Sequence, residues 1–288
     1  MAKAGGHHMV HPGPVHPDRI VWARGALRHV EGKKPAPGTS LRDAVATLVA
    51  QTGQTSGTGR FVGSFSRFRF TTGGPARDGR AANYTFIRDV NEQSGPVDVR
   101  FTVGLNSDGE CHVHAHGQFL TVLPDGEEGG HLFPEDCIIE DFDRLNISLV
   151  DGLLLRQNQD LETLHSVFDI EAGGTTGDGL FVRVRPNEDM VDALSHLLLE
   201  RDAQAARSIN SIGSLNEPVF VSADGVERPA NSIGMEIISM DVTWDRQAED
   251  CIIACSAVDE AGHVHKGKLV PGLAPVCVTG EILLAVTD

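Results

Sequence analysis

An internal repeat constrains the fold of this chain more than any other feature of its sequence. Two segments, about half the chain apart, each place four apolar residues at the i, i+4, i+7, i+8 spacing of a helix with one buried face. Each position of the second segment lies 149 residues after its partner; the two sets are Leu41, Val45, Leu48, Val49 and Met190, Leu194, Leu197, Leu198. The sequence therefore predicts the same amphipathic helix twice.

Further pairs of segments follow in the same order. Residues 62–65 (VGSF) correspond to 212–215 (IGSL), 150 residues later, and residues 130–134 (GHLFP) correspond to 267–271 (GKLVP), 137 residues later. A few loop changes explain this drift in spacing. At about 150 residues per domain, a chain of 288 residues is long enough for two domains. We therefore predict two homologous domains in tandem.

The pattern within each repeat is a strand, a helix and then several strands. Alternating apolar residues predict strands at 97–105 and 112–120 in the first repeat and at 235–242 and 282–286 in the second. One helix among about five strands predicts an α+β fold, with the helix packed on one face of a mostly antiparallel sheet. We place the boundaries as a flexible arm at 1–19, a first domain at 20–156, a linker at 157–177 and a second domain at 178–288.

The charge balance is strongly acidic. With 24 Lys and Arg against 40 Asp and Glu, the formal net charge is −16, which argues against non-specific binding to nucleic acid or anionic lipid. No apolar run approaches the ~20 residues that span a bilayer, and the N-terminal segment lacks the apolar core of a secretory signal. The five cysteines, an odd number, are expected to be reduced thiols. Together these features predict a cytoplasmic protein.

Four histidines within twenty residues form the densest chemical signal: His112, His114, His116 and His131. Alternate side chains of a strand share a face, so the first three project the same way. A hairpin at 123–128 would bring His131 alongside on the next strand. Two strand histidines and His131 would then form a three-imidazole set with an open position, as in catalytic zinc sites. Nickel, copper or iron would also fit. The alternative is a solvated strand face that happens to carry histidines.

Three further side chains are candidates for roles beside such a site. Arg67 and Arg69 share a strand face, and arginine pairs bind carboxylates and phosphates bidentately, so they could orient an anionic substrate. Glu128 precedes the Gly-Gly-His turn and could act as a general base or orient a ligand imidazole. The alternatives are a solvated cationic face for the arginines and a solubilising carboxylate at a hairpin tip for Glu128.

The order of these motifs resembles the plants-and-prokaryotes-conserved domain (PPC, also written PCC). The first repeat carries Pro-Gly-x-x-Leu, Gly-Ser, His-x-His and Gly-Gly-His-Leu-x-Pro, and the second carries related segments at 185–190, 212–215, 235–240 and 267–272. The matching stretches span residues 20–155 and 178–288. The resemblance implies a compact α+β domain that assembles as trimers and, in bacterial members, holds a metal with these histidines.

Residue by residue, the resemblance implies that His112, His114 and His131 are the metal ligands. The interval from His112 to His131 is somewhat longer than usual, so His114 with His116 is a competing pair; otherwise His116 is a fourth ligand, a proton shuttle or an exposed bystander. The corresponding positions in the second repeat are Ile252, Ala254 and Lys268. Two aliphatic residues and a cation cannot hold a metal, so the resemblance implies one competent site and one degenerate copy.

Plant members carry Arg-Gly-Arg-Pro peptides that enter the DNA minor groove, and this sequence has none.

These features predict a metal-dependent enzyme, with zinc as the first choice, that hydrolyses, hydrates or eliminates on a small, carboxylated molecule. His112, His114 and His131 would hold the ion, His116 and Glu128 would serve catalysis, and Arg67 and Arg69 would bind substrate. The alternative is a regulatory binding or scaffold protein in which the metal locks a homotrimer; DNA binding is the least favoured function. An enzyme needs an open coordination position, whereas a locking site is closed by four protein ligands.

Overall fold

The computed structural model describes residues 8–120 and 127–288 of the chain. Within these residues, the first half contains the helix α1 (Leu41–Ala50) and ten strands: β1 (Ile20–Gly25), β2 (Leu27–Glu31), β3 (Gly57–Pro75), β4 (Ala82–Val90), β5 (Val97–Leu105), β6 (Cys111–Leu120), β7 (Glu127–Leu132), β8 (Ile138–Val150), β9 (Leu154–Gln159) and β10 (Ser166–Ala172). The predicted hairpin turn lies mostly outside the described residues, at 123–126.

The second half contains the other helix and the remaining described strands: β11 (Gly179–Val184), α2 (Met190–Glu200), β12 (Ala205–Ser208), β13 (Ile212–Leu215), β14 (Val219–Val221), β15 (Glu227–Pro229), β16 (Met235–Asp245), β17 (Asp250–Val258), β18 (Val264–Leu269) and β19 (Val276–Thr287). The architecture is therefore mostly β, built on two sheets, and the predicted α+β class fits it only loosely.

Both helices lie where the apolar spacing predicts them. Each begins at a polar cap: Ser40 Oγ accepts a hydrogen bond from the amide of Asp43, and the Asp189 carboxylate accepts from the amides of Val191 and Asp192. All eight residues of the two predicted apolar faces are buried. The helix α1 packs against β6, and α2 packs against β17, so each helix covers the corresponding strand of its own half.

The two sheets repeat one pairing scheme. In the first half, β3 pairs with β8 and β5 along its first part and with β7 near its end, and β6 lies between β5 and β7. In the second half, three short strands take the place of the long strand β3. Strands β12 and β13 each pair with β16 and β19, and β14 pairs with β18. These pairings are antiparallel, which agrees with the predicted antiparallel sheets.

The halves are interlocked rather than joined by a free linker. Strand β1, predicted within the first domain, pairs with β11 at the edge of the second sheet. Strands β9 and β10, which include about half of the predicted linker, pair with each other, and β9 joins the first sheet beside β5. Residues of both halves share a buried apolar cluster: Ala23, Val150, Leu153, Leu155, Phe168, Phe181 and Leu283. The two sheets therefore pack as one body.

The described part of the N-terminal arm contacts this body. The amide of Gly13 donates to the carbonyl of Glu162, and the amide of His16 donates to the Glu162 carboxylate. Asn187 exchanges two hydrogen bonds with the backbone of Met9. Residues 8–19 thus contact both halves, Glu162 in the first and Asn187 in the second, instead of extending away from the body.

The cysteines and the two helices bear on the chain's environment. All five cysteines are free thiols. Among the described residues, neither helix has the length and apolarity to span a membrane.

Candidate metal centre

The histidines lie on two neighbouring strands of the first sheet. β6 pairs with β7 so that His116 lies directly opposite His131. Side chains alternate between faces along a strand, which places His114 on the same face as His116. A Cβ atom at Gly130 would lie 2.3 Å from the carbonyl oxygen of Thr71, so a glycine is needed for β7 to approach β3 this closely. The glycine pair before His131 therefore brings the third imidazole to the other two.

Three imidazoles converge at this point. Nε2 of His114 lies 3.1 Å from Nε2 of His116, and Nδ1 of His131 lies 3.3 Å from the same His116 atom. One nitrogen of each ring lies within 4.8 Å of the others, a spacing that one metal ion can bridge. The described residues contain no other group of three or more His, Cys, Asp or Glu side chains with this spacing.

His112, the first ligand of the predicted set, lies outside this cluster. Its Nε2 is 2.9 Å from the Gln157 side-chain amide, and its ring contacts the edge of Phe168. His116, predicted as a catalytic residue, takes its place beside His114 and His131. The structure therefore brings together His114 and His116, the competing pair, because cross-strand pairing places His116, and not His112, opposite His131.

Strand pairing also identifies the corresponding positions in the second half. Ala254 of β17 lies opposite Lys268 of β18, as His116 lies opposite His131. Ile252, two residues earlier, then corresponds to His114. The second copy therefore lacks the three imidazoles, as the sequence predicts.

The second half nevertheless contributes two carboxylates to the histidine cluster. Glu281 of β19 lies 3.0 Å from Nδ1 of His114, with its side chain fully buried. Glu236 of β16 lies 3.2 Å from Nε2 of His116. The backbone carbonyl of Ile237 accepts a hydrogen bond of 2.9 Å from Nδ1 of His116. The site is thus built between the two halves, with imidazoles from one and oxygen atoms from the other.

Neither carboxylate is among the predicted site residues. Each is an acidic residue inside a run of apolar strand residues, Glu236 in MEII and Glu281 in GEILLAV. Carboxylates are almost never fully buried unless they are paired. An acidic side chain within an apolar strand is therefore a detectable signal for a buried partner, although it does not identify that partner.

Burial and charge set the protonation of these groups. Burial alone would lower the pKa of His114, but the charge and hydrogen bond of Glu281, together with the charge of Glu236, raise it. Burial, followed by the positive charge of His114, lowers the pKa of His116 and of His131. Burial raises the pKa of Glu236 to about 8, although His114 opposes this rise. Burial would also raise the pKa of Glu281, but His114 lowers it.

The ring nitrogens are arranged to receive a cation. Nδ1 of both His114 and His116 faces an oxygen acceptor, so Nδ1 carries the proton in each ring. The two Nε2 atoms are then unprotonated acceptors that face each other at 3.1 Å. Two facing acceptors repel each other unless a cation lies between them. A proton on His114 meets this need, and so does a metal ion. Because imidazole is a preferred ligand of zinc, copper, nickel and iron, the residues fit a divalent transition metal.

The cluster lies on the wall of a pocket with a volume of about 390 Å³. The first half contributes His114, His116 and His131 to the lining, together with Tyr84, whose hydroxyl lies 3.0 Å from Nε2 of His131. The second half contributes another part of the lining, with Ser214, Glu236 and Thr279 among its residues. The pocket is large enough for a small organic molecule in contact with the three imidazoles.

The other predicted site residues do not line this pocket. Arg69 is bound to Asp89 and Asp136, and Arg67 is exposed on the same strand. Glu128 lies 3.7 Å from Arg88. It is three residues from His131 along β7, and strand alternation therefore directs it to the opposite face. The guanidinium group in the pocket lining belongs to Arg80, which is paired with Asp78.

Three solved structures each align with about half of this chain. A metal-containing protein of Archaeoglobus fulgidus is 13% identical, covers 52% of this chain and 97% of its own, and has a TM-score of 0.40. A PPC protein of Pyrococcus horikoshii is 16% identical, with coverages of 54% and 97% and a TM-score of 0.36. A Ralstonia eutropha protein named for DNA binding is 15% identical, with coverages of 52% and 89% and a TM-score of 0.37.

Sequence comparison gives a more specific result. No curated protein is detectably similar to the chain. Residues 171–288 match the family profile of the Plants and Prokaryotes Conserved (PCC) domain. The matched region includes α2 and all strands from β11 to β19, whose pairing scheme the first half repeats. Residues 171–288 therefore carry a PCC domain, and the histidine cluster lies on the corresponding strands of the first half.

Proposed function

We propose that this protein is an enzyme that depends on a divalent transition metal, with zinc as the first choice, held by His114, His116 and His131. The proposed reaction is the hydrolysis, hydration or elimination of a small, carboxylated molecule. The observation that carries the proposal is the convergence of three imidazoles, one buried and two half-buried, on the wall of a pocket of about 390 Å³. When bound, the ion would supply Lewis-acid polarisation of a substrate oxygen.

The oxygen atoms around the cluster orient its imidazoles. Glu281 holds Nδ1 of His114, and the carbonyl of Ile237 holds Nδ1 of His116, so both rings present Nε2 to the same point. Carboxylates and carbonyls in this position fix the tautomer and increase the basicity of a metal-binding imidazole. The second half thus acts on the proposed metal through the ligands of the first.

Glu236 is the group best placed to move a proton in the pocket. Its carboxyl lines the pocket and lies 3.2 Å from Nε2 of His116. It takes the general acid–base role for which Glu128 is the sequence-based candidate, since Glu128 lies outside the pocket lining. His116 becomes a ligand in this proposal and no longer a proton shuttle. Arg80 replaces Arg67 and Arg69 as the cation for an anionic substrate, because it lines the pocket.

The remaining parts of the proposal concern assembly and location. We place the protein in the cytoplasm as a homotrimer that does not bind nucleic acid, in keeping with the net charge of −16. The second candidate function is a regulatory scaffold in which the metal locks the assembly. The proximity of Glu236 to His116 favours this candidate if the carboxylate acts as a fourth ligand, because a closed site with four protein ligands is structural.

Metal content tests the ligand set. Protein purified without a histidine tag is expected to hold about one transition metal ion per chain by elemental analysis. The variants His114→Ala and His116→Ala are expected to lose the ion. The matched control is His112→Ala on the same strand, which should retain it. Equal, negligible metal in all four proteins overturns the proposal, and loss of metal in His112→Ala with retention in His116→Ala overturns the ligand set.

Turnover by a Glu236→Gln variant separates the two candidate functions. For an enzyme, small esters, amides and hydroxy acids are screened with the metal-loaded protein, and Glu236→Gln should reduce kcat by about 100-fold or more while the metal is retained. For a locking site, no substrate turns over, and Glu236→Gln weakens metal binding instead. Absence of turnover together with weaker metal binding in Glu236→Gln would contradict the proposal that the protein is an enzyme.

A further inference from the structure

Corresponding serines in the two halves have different surroundings. In the first half, Ser64 Oγ accepts a hydrogen bond from the amide of Asp141 and donates to the Asp141 carboxylate at 3.3 Å. In the second half, Ser214 Oγ accepts from the amide of Val278 at 3.0 Å in the same way. The side chain of Val278 is apolar, so it offers no acceptor for the Ser214 hydroxyl proton. The second copy therefore keeps the amide contact and loses the acceptor.

A second hydroxyl next to this serine is buried without a partner. Thr279 is 3% exposed, and its Oγ1 makes no hydrogen bond within the described part of the chain. A buried hydroxyl left unpaired has lost its hydrogen bonds to water without replacing them, which is unfavourable. Both Thr279 and Ser214 line the pocket that contains the three histidines. A ligand in this pocket is therefore a natural partner for both hydroxyl groups.

The backbone fixes Ser214 and Thr279 next to each other and beside Glu236. Ser214 pairs in register with Glu236, so the two side chains lie on the same face of neighbouring strands. A Cβ atom at Gly213 would lie 2.6 Å from the carbonyl oxygen of Thr279, so this glycine permits the close approach of β13 and β19. The hydroxyl groups are thus fixed beside Glu236 by the strand pairing of the second half.

We propose that Ser214 and Thr279 form a subsite that binds a carbonyl-type oxygen of the ligand, either of a carboxylate or of a neutral carbonyl group. The Ser214 hydroxyl oxygen accepts a hydrogen bond from the Val278 amide, and the hydroxyl donates its proton to the ligand. The Thr279 hydroxyl also donates a hydrogen bond to the ligand. This inference rests on the proposed function, since it identifies how the ligand of the same pocket is held. It also gives the second half a direct role in substrate recognition.

Fluorine NMR with two small probes tests the subsite. Trifluoroacetate supplies a carboxylate and trifluoroacetamide supplies a neutral carbonyl group, and each is titrated into the full-length protein, both metal-loaded and after metal removal. The variants are Thr279→Val, which preserves the shape of the side chain, and Ser214→Ala. The expected result is saturable binding to the unaltered protein that weakens about tenfold with each variant.

Two further variants serve as controls. Ser64→Ala removes the corresponding hydroxyl of the first half and should leave probe binding unchanged, because that hydroxyl is bonded to Asp141. Thr279→Ser keeps the hydroxyl and should retain most of the affinity that Thr279→Val loses. Comparison of the two probes then shows whether the bound oxygen belongs to a carboxylate or to a neutral carbonyl group.

The outcomes separate this inference from the proposed function. If the protein takes up no metal but binds the probes in a hydroxyl-dependent way, the subsite is supported and the metalloenzyme is overturned. Metal binding combined with equal probe affinity in all variants leaves the metal site standing and overturns the subsite, as expected if Thr279 Oγ1 binds only water. The absence of saturable probe binding to the unaltered protein also overturns it.

Discussion

Opposite His131 the first half of the chain carries His116, whereas opposite Lys268 the second half carries Ala254. The strands that hold these residues pair in the same way in both halves, so the difference lies in side chains alone. The second half uses other strands of the same scheme, β13, β16 and β19, to bring Glu236, Glu281 and two hydroxyl groups to the histidines of the first. The half that lacks the three histidines thereby forms the opposite wall of the pocket and is not a passive support.

The interlocking of the sheets makes this division of roles possible. Strand β1 extends the second sheet, and Asp160, which follows β9, binds Arg183 and Arg185 of the second half. Because these contacts cross between the halves, the carboxylates of one half keep their position relative to the imidazoles of the other. Variants of Asp160 and Glu281 test this coupling, and paired variants in α1 and α2 compare corresponding positions of the two halves.

The largest effect is expected from Asp160→Asn. The carboxylate accepts from Arg183 at 2.6 Å and from Arg185 at 2.8 Å, and both guanidinium groups are buried. Removing one member of a buried charge network leaves uncompensated charges, so the variant should lose about 3–5 kcal/mol of unfolding free energy at neutral pH. Urea unfolding measures this loss. A loss below about 1 kcal/mol would mean that Asp160 behaves as a surface ion pair and does not hold the halves together.

The stability difference between the wild type and Asp160→Asn is expected to depend on pH. Burial would raise the pKa of Asp160, but the Thr163 amide and the charges of Arg183 and Arg185 lower it to about 2. Because this pKa lies below the unfolded value of about 3.9, the stabilisation is complete above pH ~4 and is lost as the pH falls through about 2. The stability difference between the wild type and Asp160→Asn should therefore narrow between these values. A difference that stays constant over this range would contradict the assignment.

Two leucines at corresponding helix positions test whether the halves unfold together. Leu48 of α1 and Leu197 of α2 are both buried, and each replacement by alanine should cost about 2–5 kcal/mol through lost burial and the cavity left behind. If the sheets form one cooperative unit, each variant shifts a single transition that circular dichroism and tryptophan fluorescence report together. Two separate transitions, with each variant shifting a different one, would show that the halves fold independently.

The local features of this fold are predictable from sequence, and the contacts between halves are not. The buried faces of both helices and the correspondence of Gly213-Ser214 with Gly63-Ser64 follow from spacing along the chain. Strand alternation equally allows His112 with His114 or His114 with His116, since both pairs share a face. The choice depends on the cross-strand register that places His116 opposite His131.

The partners of the histidines depend on distances in sequence that no local pattern encodes. Glu281 lies 167 residues after His114, and their contact joins β19 to β6 across the boundary between the halves. The exchange of β1 into the second sheet is another long-range pairing of this kind. An acidic residue within an apolar run indicates that a partner exists, but the topology determines which residue it is.

An intermediate effect is expected from Glu281→Gln. The amide can still accept a hydrogen bond from Nδ1 of His114, but it lacks the charge that raises the pKa and basicity of this imidazole. Metal affinity should fall by about 10–100-fold, as measured by competition with a chromogenic chelator. Glu128→Gln is the matched control, because Glu128 lies near Arg88 and away from the histidines. Equal affinity in both variants would mean that the second half does not act on the metal ligands.

The smallest expected effects come from the two helix caps, where the halves differ in the number of amides bound. Ser40 Oγ accepts from the amide of Asp43, whereas Asp189 accepts from the amides of Val191, Asp192 and Ala274. Replacement by alanine should therefore cost about 1 kcal/mol at Ser40 and about 2 kcal/mol at Asp189. Chemical denaturation of the two variants measures the difference. Because Ala274 lies just before β19, Asp189 also ties α2 to the strand that carries Glu281. If the two losses are equal, the additional amide contributes nothing, and α2 is anchored to β19 by apolar packing alone.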